Sequence, residues 1–229
     1  MTLLHLDASA RPYCPDREHN GSHTRQLTGR FVARWSAARP EETVIYRDVG
    51  RTPPKPVSDR WIEAAFTRPE GREHWMTEVL AESDELVDEL IRADVILAGV
   101  PMYNFNVPAQ FKAYIDNVVR VGRTFGFDRS RAGEPYWPLL TEKERHLILI
   151  SSRGDYGYDD GPNARANHVE PSVRTAFSYI GIRRVSTIAV EYDEFSDERL
   201  FRSLERAERE VDRLVAALIP SAARRQCRL

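Results

Sequence analysis

Five short apolar runs punctuate the chain, and longer amphipathic stretches fill the intervals. The runs are Leu3 to Asp7, Thr43 to Tyr46 with an Arg47-Asp48-Val49 ending, Asp94 to Val100, His146 to Ser151 and Arg184 to Val190. The third and fourth are apolar almost without a break, as strands covered on both faces must be. Between the runs, apolar residues recur with helical spacing. His23 to Ala38 carries Leu27, Phe31 and Trp35 on one stripe, and His74 to Arg92 carries Val79, Leu86, Leu90 and Ile91. A third helix is expected from Pro108 through Val119, with the proline in the first turn, where its missing N–H costs little. Ala164 to Ile180 and Asp197 to Leu218 complete the set. This alternation predicts an α/β fold, a doubly wound five-stranded parallel sheet with helices on both faces.

No internal repeat interrupts the pattern. Arg51 to Pro56 reads as a proline-rich loop after the second strand, and Gly126 to Pro138 as a long insertion rich in Arg, Gly and Trp. One domain is expected over positions 1–221, followed by a basic, solvated tail over 222–229.

Composition narrows the picture. Hydrophobic residues make up 41% and charged residues 30%, with a formal net charge of -2. That balance gives no general attraction to nucleic acid or anionic membrane. No apolar run approaches the ~18 residues of a membrane span. The first residues lack a basic, then apolar, leader pattern. Two cysteines, Cys14 and Cys227, cannot form a disulfide framework, so a cytoplasmic location is expected. The 6 histidines have no metal-ligand spacing, and no metal site is expected.

Open parallel sheets bind ligands beyond the carboxyl ends of their strands. Three loops there suit a phosphorylated aromatic ligand. After the first strand come Ser9 and Arg11, then Ser22-His23-Thr24 at the start of a helix. Ser22 or Thr24 would cap that helix, whose free N–H groups attract an anion. No G-x-G-x-x-G or Walker lysine is present, which disfavours dinucleotide and nucleoside triphosphate loops. After the third strand, Pro101-Met102-Tyr103-Asn104-Phe105-Asn106-Val107-Pro108 offers flat aromatic surface between two prolines. After the fourth, Ser152-Arg153-Gly154 leads to Tyr156, with the arginine a candidate partner for a negatively charged reduced ring.

The stretch from Pro101 to Asp116 resembles the flavin loop and helix of FMN-dependent NADH azoreductases, also described as NADH:quinone oxidoreductases. Ser152-Arg153-Gly154, Asp160-Gly161-Pro162 and Tyr179-Ile180-Gly181-Ile182 extend the likeness over nearly the whole chain. The resemblance implies a flavodoxin-like fold, bound FMN, and a homodimer with its flavin sites at the interface. It also implies ping-pong turnover, in which NADH or NADPH reduces FMN and a quinone or azo compound takes the electrons. Hydride would pass through flavin N5, so no protein side chain is assigned a catalytic role. By the same resemblance, Ser9, Ser22 and Thr24 would hold the phosphate with backbone help from His23; Arg11, from its place in the loop, would balance the phosphate charge. Pro101 to Phe105 would line the ring, as would Ser152, Arg153, Gly154 and Tyr156. Tyr179 would approach the acceptor, and Phe125 and Phe127 would cover the partner subunit's flavin.

The chain departs from the family pattern in four ways. Pro12 to Asn20 lengthens the phosphate loop, and His23-Thr24 replaces the usual end of a Ser-x-Ser motif. Asp155 stands where a second glycine is common, and Tyr156 to Tyr158 carries an extra residue. These changes suggest a specialised acceptor. The alternative reading is a flavin-binding electron carrier or redox sensor. A hydrolase is disfavoured by the missing G-x-S-x-G elbow.

Overall fold

The computed structural model describes residues 1–14 and 21–219. The expected tail 222–229, with Cys227, and positions 15–20 of the inserted loop lie outside the described residues. The main sheet comprises β1 (Thr2–Asp7), β2 (Thr43–Asp48), β3 (Val95–Gly99), β6 (His146–Ser152) and β7 (Arg184–Val190). All pairings are parallel and the order is β2-β1-β3-β6-β7. A separate antiparallel pair joins β4 (Phe125–Phe127) to β5 (Tyr136–Pro138).

Alternation along the strands assigns each side chain to a layer. Leu4, Leu6, Ile96, Ala98, Leu147 and Leu149 face one core. There they meet α3 (His74–Arg92), α4 (Ala109–Val118) and α5 (Val169–Tyr179). Leu3, Val95, Leu97, Ile148 and Ile150 face the other core, against α1 (His23–Ala38) and α6 (Glu198–Leu218). The Leu27, Phe31 and Trp35 stripe is fully buried there, as its spacing predicts.

β2 ends at Asp48, within the Arg47-Asp48-Val49 ending expected for it, as parallel pairing with β1 continues to Asp7. Several other boundaries differ from expectation. Pro108 caps α4 from outside, with ψ of 147°, where the sequence reading placed it in the first turn. The helix expected from Ala164 is broken into a short 3-10 turn, Ala164–Ala166, and α5. At the break, Asn167 Oδ1 accepts the Val169 N–H, and the His168 N–H donates to the Phe105 carbonyl. α2 (Asp59–Phe66), capped by Ser58, was not anticipated. The loop expected over 126–138 contains most of the β4–β5 hairpin, in which Trp137 packs over Gly126.

Candidate flavin site

A cleft of about 580 Å³ opens at the carboxyl ends of β1, β3 and β6. Strand order reverses between β1 and β3, the point where this topology leaves room for a ligand.

One wall is the β1–α1 loop. Ser22 caps α1, its hydroxyl accepting from the Arg25 N–H at 3.2 Å. The Ser9 hydroxyl accepts from the Arg11 N–H, folding Arg11 toward the cleft mouth. Behind this wall stands Arg25, which the sequence reading passed over. Its guanidinium donates to the Ser9 carbonyl at 2.7 Å and to Asp48 at 2.6 and 2.9 Å. It also reaches Asp7 at 3.4 Å and the Tyr46 hydroxyl at 3.1 Å. Burial pushes the Asp7 carboxyl up, but His5, Thr28 and Arg25 together hold it below its ordinary value. Asp48 is lowered likewise, its burial outweighed by Arg25 and the Arg51 N–H. Tyr46 is pushed up to about 12 by burial and by the charges of Asp7 and Asp48.

The facing wall is the β3–α4 loop. Tyr103 and Asn106 exchange two backbone hydrogen bonds, 2.9 and 3.1 Å long, closing a two-residue turn. Its tip residues, Asn104 and Phe105, have φ of 46° and 70°. Both values are positive, as a type I′ turn requires, although neither residue is glycine. Among the described residues, neither the Asn104 nor the Phe105 N–H makes a hydrogen bond. The Tyr103 hydroxyl accepts from the Ala10 N–H at 3.2 Å and ties the two walls together.

Of the residues expected at the site, Ser9, Arg11, Ser22, His23, Pro101, Met102, Tyr103, Asn104, Ser152 and Gly154 line this cleft. Thr24, Phe105, Arg153 and Tyr156 do not, each for a physical reason. Thr24 is fully buried, its hydroxyl paired with Ser22 at 3.0 Å. The turn projects Phe105 outward, leaving it 54% exposed. Arg153 points away from Ser152 and Gly154, because successive side chains of extended backbone face opposite sides; it lines a second cavity instead. Tyr156 stacks on Tyr192, with ring centroids 5.0 Å apart. Phe125 and Tyr179 pack at 5.1 Å in an aromatic cluster with Tyr136, on which Phe127 stacks.

The β7–α6 loop supplies a boundary that the sequence reading missed. Asp193, Glu194 and Ser196 line the cleft, as do Leu200 and Phe201 at the start of α6. His23 Nε2 lies 3.1 Å from Asp193 Oδ1, bridging this loop to the α1 N-terminus. One signal was available: the fifth strand also ends on this side of the sheet. Among the described residues, no group of His, Cys, Asp and Glu is arranged to hold a metal ion.

Residues 1–214 match a family described as having a flavodoxin-like fold. The FMN-dependent NADH:quinone oxidoreductase 2 of Colwellia psychrerythraea is 40% identical over 220 residues, 96% of this chain and 100% of that one. This chain belongs to the FMN-dependent NADH:quinone oxidoreductase family. A further relative of this oxidoreductase is the FMN-dependent NAD(P)H:quinone oxidoreductase 1 of Pseudomonas aeruginosa. It is 39% identical over 189 residues, 82% of this chain and 88% of the relative. Solved azoreductases share the fold. One from Bacillus anthracis str. Ames Ancestor, an FMN-dependent NADH-azoreductase in complex with FMN, superposes with a TM-score of 0.81. It is 17% identical, and the match covers 96% of this chain and 99% of that one.

Proposed function

We propose that this chain is an FMN-dependent NAD(P)H oxidoreductase that reduces quinones, azo compounds or related electrophiles in two-electron steps. The observation that supports this best is the cleft itself. It combines an anion-receiving helix N-terminus with an outward-facing type I′ turn, at the switch point of the sheet. Its volume suits a cofactor of FMN size.

The residues fit that group. Ser9, Arg11, Ser22 and the α1 N-terminus would receive the phosphate. Met102, Tyr103, Asn104, Ser152 and Gly154 would line the ring. FMN, when bound, supplies the hydride chemistry; the protein supplies orientation and electrostatics. His23 Nε2 lies 3.1 Å from Asp193 Oδ1, so the β7–α6 loop is tied to the α1 N-terminus at the phosphate end, while Glu194 packs against Gly154. The Tyr103–Ala10 contact holds the two walls at a fixed spacing.

We further propose that the working form is a homodimer of one flavin-binding domain spanning 1–221, in the cytoplasm. Support for the dimer comes from the aromatic cluster of Phe125, Phe127, Tyr136 and Tyr179. It stands apart from this protomer's cleft, with Tyr136 half exposed, and would cover the partner's. No helix among the described residues is long and apolar enough to cross a membrane.

The test is a visible spectrum of the purified protein, with NADH and NADPH added in turn without oxygen. A flavin spectrum that bleaches with either donor and recovers on adding a quinone is the expected result. A flavin left oxidised by both would favour the carrier or sensor reading.

Phe105 provides a narrower test. Its φ of 70° is a strained conformation for a side chain of this size. Phe105→Gly is expected to leave the unfolding free energy unchanged or raise it by up to about 1 kcal/mol, as measured in urea. The same change should raise the KM for the acceptor if the exposed ring borders its path. A clear drop in stability would instead make the ring a structural anchor.

A further inference from the structure

Ser152-Arg153-Gly154 crosses the floor between the two loops that bound the cleft. The Met102 N–H donates to the Ser152 carbonyl at 2.8 Å. The Arg153 N–H donates to the Val190 carbonyl at 2.8 Å, and the Asp193 N–H donates to the Arg153 carbonyl at 3.1 Å. The Glu194 N–H donates to the Gly154 carbonyl at 3.2 Å. Any shift of this segment therefore moves both the turn-bearing loop and the β7–α6 loop.

The arginine of this segment does not face the cleft. Its side chain is buried and extends to the opposite side, where its guanidinium meets carboxylates from three separate places. Nη2 donates to Asp159 at 2.8 Å and to Glu170 at 2.7 Å. Nη1 reaches Glu191 at 3.3 Å. Asp159 belongs to the β6–α5 loop, Glu170 to the first turn of α5, and Glu191 follows β7. Two of these carboxylates are engaged further. Glu170 accepts the Ser151 hydroxyl at 2.6 Å, and Glu191 accepts the Gly157 N–H at 2.9 Å. Burial alone would lower the Arg153 pKa, but Asp159 and Glu170 outweigh it and hold the group charged.

We propose that Arg153 is a positioning residue, clamping segment 152–158 from behind so that Ser152 and Gly154 present a rigid wall to the flavin, which the guanidinium itself never touches. This rests on the flavin reading of the cleft. It replaces the direct electrostatic role that the Ser-Arg-Gly motif suggests, and it makes α5 and the loop after β7 part of the cofactor site's rigidity. A lysine is a poor substitute, because one ammonium cannot present a planar fork to carboxylates lying in three directions.

The test uses the full chain with FMN removed and three variants: Arg153→Lys, Arg153→Met, and Arg153→Met combined with Glu170→Gln. The double variant removes the buried charge that Arg153→Met alone would strand, so it keeps the experiment informative if the single variant fails to fold. Two results are expected of it. FMN Kd, read by flavin fluorescence quenching, rises by about tenfold, the scale of one lost charge-assisted hydrogen bond. Amide exchange accelerates at 152–158 while the β1–β3 core stays protected. Arg153→Lys restores neither in full. The flavin midpoint potential stays at the wild-type value in every variant that binds, because a clamp acts on oxidised and reduced flavin alike.

A potential that falls in Arg153→Met and recovers in Arg153→Lys would overturn the proposal in favour of direct charge stabilisation. So would a double variant with wild-type Kd and wild-type exchange. If the wild-type protein itself binds no FMN, the flavin reading fails, and the exchange measurement still decides whether the clamp exists.

Discussion

Arg25→Met is expected to destabilise the fold by about 3–5 kcal/mol, the range for stripping a buried charge cluster of its counter-ion. Arg25 is 6% exposed, and its guanidinium serves Asp7, Asp48, Tyr46 and the Ser9 carbonyl at once. Methionine fills similar volume but leaves two carboxylates facing each other across β1 and β2. The Ser9 carbonyl also loses its donor, so the phosphate wall should loosen and FMN be lost with stability. Urea unfolding of the flavin-free protein measures the first effect, and flavin retention on desalting measures the second. The pH dependence has a definite sign. Asp7 and Asp48 are held below their ordinary values, so their contribution is present above about pH 4, the unfolded carboxylate range. It is lost only as pH falls below that, through their depressed folded values. In Arg25→Met Asp48 loses its main counter-ion while its burial remains, and Asp7 keeps His5 and Thr28, so acid destabilisation should begin at higher pH than in wild type, chiefly through Asp48. A variant within about 1 kcal/mol of wild type, with the same acid limb, would show the cluster to behave as an exposed pair.

Arg25 also marks the limit of what the sequence makes legible. The strands and long helices could be read because burial on a fixed period leaves a local trace. His23–Ala38 and His74–Arg92 appear in the structure with the same ends as in the pattern. α2 has only 8 residues, too few for a periodic signal to emerge, and β4 and β5 have 3 each, held by Trp137 stacked over Gly126 rather than by alternation. At the site, Ser22 could be identified as a cap, and Pro101 to Asn104 as cleft surface, because each depends on neighbours in sequence. The partners of Arg25 lie 16, 18 and 23 positions away, on other elements, and nothing in its own neighbourhood announces them. Arg153 is different. Alternation from Ser152 already implies that the arginine and its two neighbours cannot all face one ligand. Reading Ser-Arg-Gly as a unit overlooked that geometry.

Gly50→Ala should be strongly damaging although it adds one methyl and leaves every charge in place. A Cβ at position 50 would lie 2.1 Å from the Ser9 carbonyl oxygen and 2.6 Å from its carbon. Those atoms are backbone and cannot rotate away. The Gly50 N–H donates to the Asp7 carbonyl at 2.8 Å, so the loop after β2 cannot retreat without losing that bond. Ser9 cannot retreat either, since its carbonyl is held by Arg25. The strain must therefore spread into the β1–α1 loop. A loss of about 1–3 kcal/mol in urea unfolding is expected, the usual scale for overpacking. Flavin Kd should rise by about tenfold or more, because Ser9 and Arg11 at the phosphate end are displaced. Gly29→Ala is the matched control. It adds the same methyl on the exposed face of α1, where a Cβ would meet nothing within 4 Å. There the change should stabilise by about 0.5–1 kcal/mol through helix propensity, with flavin affinity unchanged. Opposite signs from one chemical change would place the effect in the contact between Gly50 and Ser9. Equal, small effects would mean that the β1–α1 loop yields, and that the phosphate wall is softer than its hydrogen bonds imply.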